Sequence, residues 1–320
     1  MFGQRSVKIS GNIMSNYWSQ YWQQGHLTSF GQDLAHNYEG PLKNVWKDVF
    51  QQANNQDSFV DIGTGNGALL ELACQGINSD DMPEMVGIDL ADVALPGSIN
   101  DYSGKISIQG KIDATNMPFT SESKSWVISQ FGIEYCAIKK VFSEVSRILS
   151  SSGKFQFICH HPDSIIVKPN TQILDMSRKL NENKGALSLL ENLTKELIRS
   201  GRGSPKSESI RLKLNKKIEA LLTEDQTAFI ATYFPMFSKA VLSTSDSTLQ
   251  KRYFAKFKEE LAGSMMRLAD LSQAAISDKR KSEIISACEQ HNLVLSTFSE
   301  VYDNNGQLLA WRIAGSKVSD

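Results

Sequence analysis

The stretch "SFVDIGTGNGALLEL", residues 58–72, sets Gly63, Gly65 and Gly67 on alternate positions between a β-branched apolar run and a leucine-rich one. A strand that turns through glycines into a helix lets backbone N–H groups and a helix start approach a nucleotide closely. GTGNGA, residues 63–68, satisfies the dinucleotide fingerprint G-x-G-x-x-G/A, and Asp89 lies where a ribose-binding acid belongs, about twenty residues on. The glycines alone leave the nucleotide open.

Working outward, the segment before the loop reads as helical. "SNYWSQYWQQG" starts at Ser15, a good N-cap, and ends at Gly25, with Tyr17 and Tyr21, Trp18 and Trp22 repeating at i, i+4. The loop "HLTSFG" follows, carrying His26 and Phe30. "YEGPLKNVWKDVFQQAN" then predicts a second helix, with Pro41 at its start and a stripe of Leu42, Val45, Trp46 and Phe50.

After Ser58 the runs "FVDIG", "MVGID", "KISIQGKID", "SWVISQFG" and "KFQFICHH" read as strands, with "IKKVFSEVSRILSSSG" as the clearest crossover helix. Strands joined this way predict an α/β fold: a Rossmann-like, mainly parallel sheet wrapped on both faces. The expected divisions are a leader and helical lid over 1–57, a cofactor-binding core over 58–161, a helical insertion over 162–277, and a last helix and hairpin over 278–320. Residues 1–13 are expected to carry no function.

Within the insertion, "ALSLLENLTKELIRSG" is expected to bury Leu189, Leu190, Leu193 and Leu197, and "SESIRLKLNKKIEALL" to bury Ile210, Leu214, Ile218 and Leu221. Further helices are expected near 224–233, 247–262 and 278–290, the last capped by Ser277, and the insertion is expected to enclose an acceptor pocket. "LVLSTFSEVY", "DNNG" and "QLLAWRIAG" predict an antiparallel hairpin that closes the sheet.

The 320 residues carry a net charge of -1 and are 41% hydrophobic, so nothing attracts the chain globally to nucleic acid or an anionic membrane. A small molecule is the expected partner. Cys74, Cys136, Cys159 and Cys288 form no C-x-x-C pair and read as free thiols of a cytoplasmic protein. The opening lacks the apolar centre of a signal peptide, and no run of 18 apolar residues occurs. His160 and His161, adjacent on a strand, point to opposite faces and are not expected to chelate one ion, so no metal is expected.

Asp61 separates the cofactor classes. A carboxylate two residues before Gly63 attracts the ammonium of a methionine moiety and repels a diphosphate. Asp113, ending "QGKID", is placed to accept a bond from an adenine amino group, and a terminal antiparallel hairpin is not how an ordinary dinucleotide domain ends.

Over residues 58–161 and 278–320 the chain resembles the class I S-adenosylmethionine-dependent methyltransferases. The resemblance implies that Asp61, Gly63, Thr64, Gly65 and Gly67 form the first motif. It implies that Asp89 clasps the ribose, with Leu90 beside the adenine, and that Ile112, Asp113 and Ala114 surround the ring. "SQFGIEY", residues 129–135, matches the segment that separates cofactor from acceptor, with Gln130 touching the cofactor. The Asn-Pro-Pro-aromatic pattern of base-amine methylation is absent there, so the small-molecule branch is expected. S-adenosyl-L-methionine is then the cofactor and S-adenosyl-L-homocysteine the product, with methyl transfer to oxygen or nitrogen.

For chemistry, His160 and His161 end the fifth strand, where an imidazole of ordinary pKa suits removal of a proton from the acceptor. Phe131 and Glu134, beyond the fourth strand, are expected at the acceptor. The aromatic face of Tyr17, Trp18, Tyr21 and Trp22 is expected to close over the sulfonium, with His26 and Phe30. "RSGRGSPKSESIRLKLNKK", residues 199–217, holds seven basic residues against one acid. With no aromatics interleaved it reads first as a solvated face, and docking of RNA or protein is the alternative. A nicotinamide-dependent oxidoreductase and a non-catalytic binding protein stay open as further alternatives.

Overall fold

The computed structural model describes residues 11–28, 37–102 and 104–318. Phe30 and most of the expected leader lie outside the described residues. The chain divides into two compact units, one of Met1–Val167 with Gln273–Asp320 and the other of Lys168–Ser272.

In the first unit, helices α1 (Gly11–Gln23) and α2 (Gly40–Gln52) precede the sheet. The strands are β1 (Ser58–Ile62), β2 (Glu84–Ile88), β3 (Ile106–Gln109), β4 (Lys124–Gln130), β5 (Leu149–His160), β6 (Leu293–Tyr302) and β7 (Leu308–Lys317). Among the described residues they form one sheet in the order β3-β2-β1-β4-β5-β7-β6. All pairings are parallel except those of β7 with β5 and β6. The Rossmann-like sheet with an antiparallel hairpin is therefore present.

Alternation along the strands feeds two cores. Val60, Ile62, Val127, Phe155 and Phe157 face α4 (Ile138–Ile148) and α11 (Asp278–Gln290), joining Val141, Phe142, Val145, Ile284 and Ala287. Phe59, Met85, Trp126 and Ile128 face the other way, toward α2 and α3 (Ala68–Gly76), joining Trp46, Phe50, Leu69 and Leu70. Phe59 and Trp126, opposite each other on β1 and β4, stack at 5.7 Å.

The loop between β6 and β7 is longer than a two-residue turn. Asp303 holds it, its Oδ1 accepting the N–H groups of Asn305 at 2.8 Å and Gln307 at 2.7 Å, while Gly306 takes φ +78°. β3 is shorter than its apolar pattern suggests, because Gly110 passes Ala91 O too closely for a Cβ and Lys111 takes φ +62°. α1 begins at Gly11, upstream of Ser15, and Ser277 precedes α11 without a side-chain capping bond.

The second unit is helical, with the body of α5 (Val167–Leu180), α6 (Ala186–Ser200), α7 (Pro205–Glu224), α8 (Gln226–Ala231), α9 (Phe234–Leu242) and most of α10 (Ser247–Ala274). Its core is rich in phenylalanine: Phe229, Phe234, Phe237, Phe254 and Phe257 are buried, and Phe237 and Phe257 stack at 4.0 Å. Leu190, Leu193, Leu214 and Leu221 are buried as expected, whereas Leu189, Leu197, Ile210 and Ile218 are half-buried. The helix expected near 224–233 breaks at Tyr233, which takes φ +58°, and α9 restarts with Pro235 in its first turn. α5 was not anticipated, and α10 runs further than the 247–262 pattern. All five tryptophans, Trp18, Trp22, Trp46, Trp126 and Trp311, belong to the first unit. Among the described residues no helix is long and apolar enough to cross a membrane.

Phe142 tests the α4 face. It is 1% exposed and meets Phe157 edge-on at 5.8 Å. Phe142→Ala is expected to cost about 3–5 kcal/mol, read from denaturant midpoints.

Candidate active site

The strand order reverses between β1 and β4, and ligands of open α/β sheets bind outside the carboxyl ends of the strands at such a point. Two loops meet there. A Cβ on Gly63, at φ +68°, would come 2.6 Å from Gly132 Cα, and one on Gly132 would come 2.5 Å from Ile62 O. Ser129 fastens the same corner: its hydroxyl donates to Ile62 O at 2.7 Å and accepts the Ile133 N–H at 2.9 Å.

The glycine loop is also tied to β2. Gly63 and Thr64 N–H groups donate to Ile88 O, and the Asp89 carboxylate accepts from Gly65 N at 2.9 Å and Ala91 N at 2.8 Å. Burial raises the Asp89 carboxyl above the usual carboxylate range. Leu90 beside it is 51% exposed. Ile112 N donates to Asp89 O, which brings Ile112, Asp113 and Ala114 alongside; Asp113 Oδ1 accepts from the Thr115 N–H and hydroxyl.

A small pocket, with a cavity volume of about 30 Å³, opens at the crossing. Asp61, Gly63, Thr64, Gln130 and Phe131 line it with Trp22, Leu27, Tyr38, Ala68 and Leu69, and no lysine or arginine is among these described residues. Three of its buried polar atoms have no hydrogen-bond partner: Asp61 Oδ2, Thr64 Oγ1 and Gln130 Nε2. Gln130 Oε1 accepts the indole N–H of the fully buried Trp46, which fixes the amide so that its NH₂ is the unpartnered end. Burial pushes the Asp61 carboxyl up to about 7, with Thr64 acting against the rise and the Asp89 charge adding to it.

A second buried polar group, none of whose members lines this pocket, gathers around Glu134. Glu134, in the turn Ile133–Tyr135 after β4, accepts the His160 backbone N–H at 2.9 Å through Oε1, while its Oε2 is unpartnered. Burial pushes Glu134 up to about 7, opposed by the His160 N–H and by Arg280. Arg280 of α11 donates to the carbonyl oxygens of Glu134 and Gln273, and its Nε is buried without a partner. The His160 ring stacks on Phe131 at 4.3 Å and meets Tyr135 edge-on at 6.0 Å, both nitrogens unpartnered. Burial pulls its pKa down to about 3, so the ring stays neutral at physiological pH rather than titrating near the ordinary histidine value. His161 is engaged elsewhere: Nδ1 accepts the Asp163 N–H at 3.0 Å, Nε2 is 3.6 Å from Glu300 Oε1, and the ring lies 4.5 Å from Trp311.

Of the aromatic face of α1, Trp22 reaches the pocket. Tyr21 donates its hydroxyl to Thr28 O at 2.8 Å and stacks on His26 at 4.4 Å, and Tyr17 is half-buried. Tyr17, Tyr21 and His26 are not among the lining residues, and neither are Gly65, Asp89, Leu90, Ile112, Asp113, Ala114, Glu134, His160 and His161. Tyr38 lines the pocket from the segment before α2, where no periodicity marks it; Arg280 likewise carried no sequence signal.

Residues 60–157 match the model of the family described as "Methyltransferase domain". An uncharacterized protein of Methanocaldococcus jannaschii is 26% identical over 138 residues, 41% of this chain and 50% of that protein. The match thus spans about half the length of the curated relative. Among solved structures, a geranyl diphosphate methyltransferase in complex with GPP and sinefungin aligns over 98% of this chain and 100% of that one, at 12% identity and a TM-score of 0.48. Geranyl diphosphate C-methyltransferase from Streptomyces coelicolor A3(2) aligns over 95% and 98%, at 13% identity and a TM-score of 0.47.

The buried Asp61 carries a pH signature. With its folded pKa raised from 3.8 to about 7, it holds a proton in the folded chain that the unfolded chain has released across that window. Asp61's own contribution to the stability of the ligand-free protein therefore falls as pH rises from about 4 to 7, against the rise that the depressed His160 contributes below about 6.5. Asp61→Asn is expected to be more stable than wild type at pH 8 by roughly 1–4 kcal/mol and nearly equal at pH 4, measured by urea unfolding at both pH values.

Proposed function

We propose, on the premise that residues 60–157 are an S-adenosylmethionine-dependent methyltransferase domain, that the protein methylates the oxygen or nitrogen of a small organic acceptor in an enclosed pocket. The observation that carries the donor end is the lining of the pocket: a buried carboxyl group whose Oδ2 has no hydrogen-bond partner, three aromatic rings and no cationic side chain among the described residues. A diphosphate finds no positive partner there, whereas an ammonium satisfies Asp61 Oδ2 and returns the carboxylate to its charged form.

When bound, S-adenosylmethionine supplies a methyl group on a positively charged sulfur, already activated for displacement. Asp61 would hold its ammonium, Gly63, Thr64 and Gly65 would admit its backbone-hugging portion, and Gln130 Nε2 would donate to it. Asp89 keeps free lone pairs for ribose hydroxyls, while Leu90, Ile112, Asp113 and Ala114 would flank the adenine.

At the acceptor end, alignment and exclusion of water do much of the work of such a displacement. The neutral His160 ring can accept a hydrogen bond from an acceptor O–H or N–H and orient it. Glu134, near 7, is matched to taking that proton at physiological pH, which His160 near 3 is not. Phe131 supplies an apolar wall, and His161, already engaged with Asp163, is given no part in the reaction. The four cysteines are free thiols, which fits a reducing cytoplasm. Docking of RNA or protein through 199–217 has less support, since Lys206, Arg211 and Lys217 are paired with Glu196, Glu208 and Glu182.

Calorimetric titration with S-adenosylhomocysteine is expected to give saturable binding, and titration with NAD none; the reverse result would sink the proposal. Transfer of labelled methyl to a panel of alcohols, phenols and amines identifies the acceptor. With it, Glu134→Gln is expected to lower kcat by about 10²–10⁴ while S-adenosylhomocysteine affinity stays within about twofold.

A further inference from the structure

S-adenosylmethionine and S-adenosylhomocysteine share the adenosine, the ammonium and the carboxylate, and differ by one methyl group and one positive charge on sulfur. Asp61 meets the part they share. A preference between them has to come from the walls that face the sulfur.

In the proposed reading of the pocket those walls are the rings of Trp22, Tyr38 and Phe131, which line it together with Asp61 and Gln130. Aromatic faces attract a cation within about 6 Å, most strongly where water is excluded. Each ring is held in place. The six-membered ring of Trp22 lies on Gly65, where an added Cβ would come 2.7 Å from it. Its helix is stitched to the glycine loop, with Asn66 Nδ2 donating to Trp22 O at 2.9 Å and His26 O at 2.8 Å, and Asp92 N donating to Ser19 Oγ. Behind Trp22, Trp18 stacks at 6.1 Å and in turn meets Tyr135. Tyr38 is anchored by its N–H on Asn37 Oδ1, and Asn37 donates to Ala68 O. Phe131 takes φ +57°, a conformation L side chains rarely adopt, which sets its ring between Tyr38 at 6.2 Å and His160 at 4.3 Å.

We infer that this aromatic roof, with Trp22 as its principal member, reads the charge of the ligand and holds the sulfonium form more tightly than the demethylated product. The inference rests on the proposed cofactor reading of the pocket. Transfer of the methyl group removes the charge, so the reaction itself loosens the product and limits its inhibition.

Calorimetry with S-adenosylmethionine, sinefungin and S-adenosylhomocysteine tests it, because sinefungin carries an ammonium in place of the sulfonium. Wild type is expected to bind the two charged ligands on the order of tenfold more tightly than S-adenosylhomocysteine. Trp22→Leu is expected to remove most of that preference while holding S-adenosylhomocysteine within about threefold, and Trp22→Phe to retain most of it. Equal affinities in wild type, a preference unchanged in Trp22→Leu, or an equal loss for all three ligands would overturn the charge reading. Failure of all three to bind wild type would remove the cofactor reading itself.

Discussion

Gly63 and Gly132 meet backbone to backbone at the point where the strand order reverses, with no room for a methyl group on either. That contact draws the end of β1 against the end of β4, and the Ser129 hydroxyl locks the two by bonding to both loops. Asp61, one residue from the end of β1, is thereby closed off from water. Its burial, its missing partner and its displaced pKa are consequences of the same close approach. A ligand-free site of this kind carries an unfavourable desolvation that a matching cation relieves, so affinity comes at the expense of resting stability.

The local features were legible in the sequence because their causes are local. Alternation in β1, β4 and β5, the apolar stripe of α4, the glycine turn and the loop around Asn305 and Gly306 each depend on a few neighbouring residues. α5, which opens with the polar "VKPNTQ", gives no apolar stripe at its start, and the 247–262 pattern stops short of the helix-favouring "MMRLADLSQA" that completes α10. The break at Tyr233 has a local mark in Pro235, which stands in the first turn of α9.

The site divides in the same way. The candidate acids Asp61, Asp89 and Asp113 are marked by position in or after strands, and of the three Asp61 lines the pocket. The bond from Trp46 to Gln130 spans 84 residues and that from Arg280 to Glu134 spans 146, and no pattern within a window connects such pairs. His160 was visible as a strand-end residue, but its burial against Phe131 was not, and burial is what keeps its ring neutral.

The partition of aromatic residues has a spectroscopic consequence. Every indole sits in the unit that holds the sheet, and the helical unit is built on phenylalanine, so tryptophan emission follows the first and is blind to the second. Far-ultraviolet circular dichroism is dominated by the helices. Any separation between the fluorescence and dichroism melting curves therefore measures, without labels, how independently the helical unit comes apart.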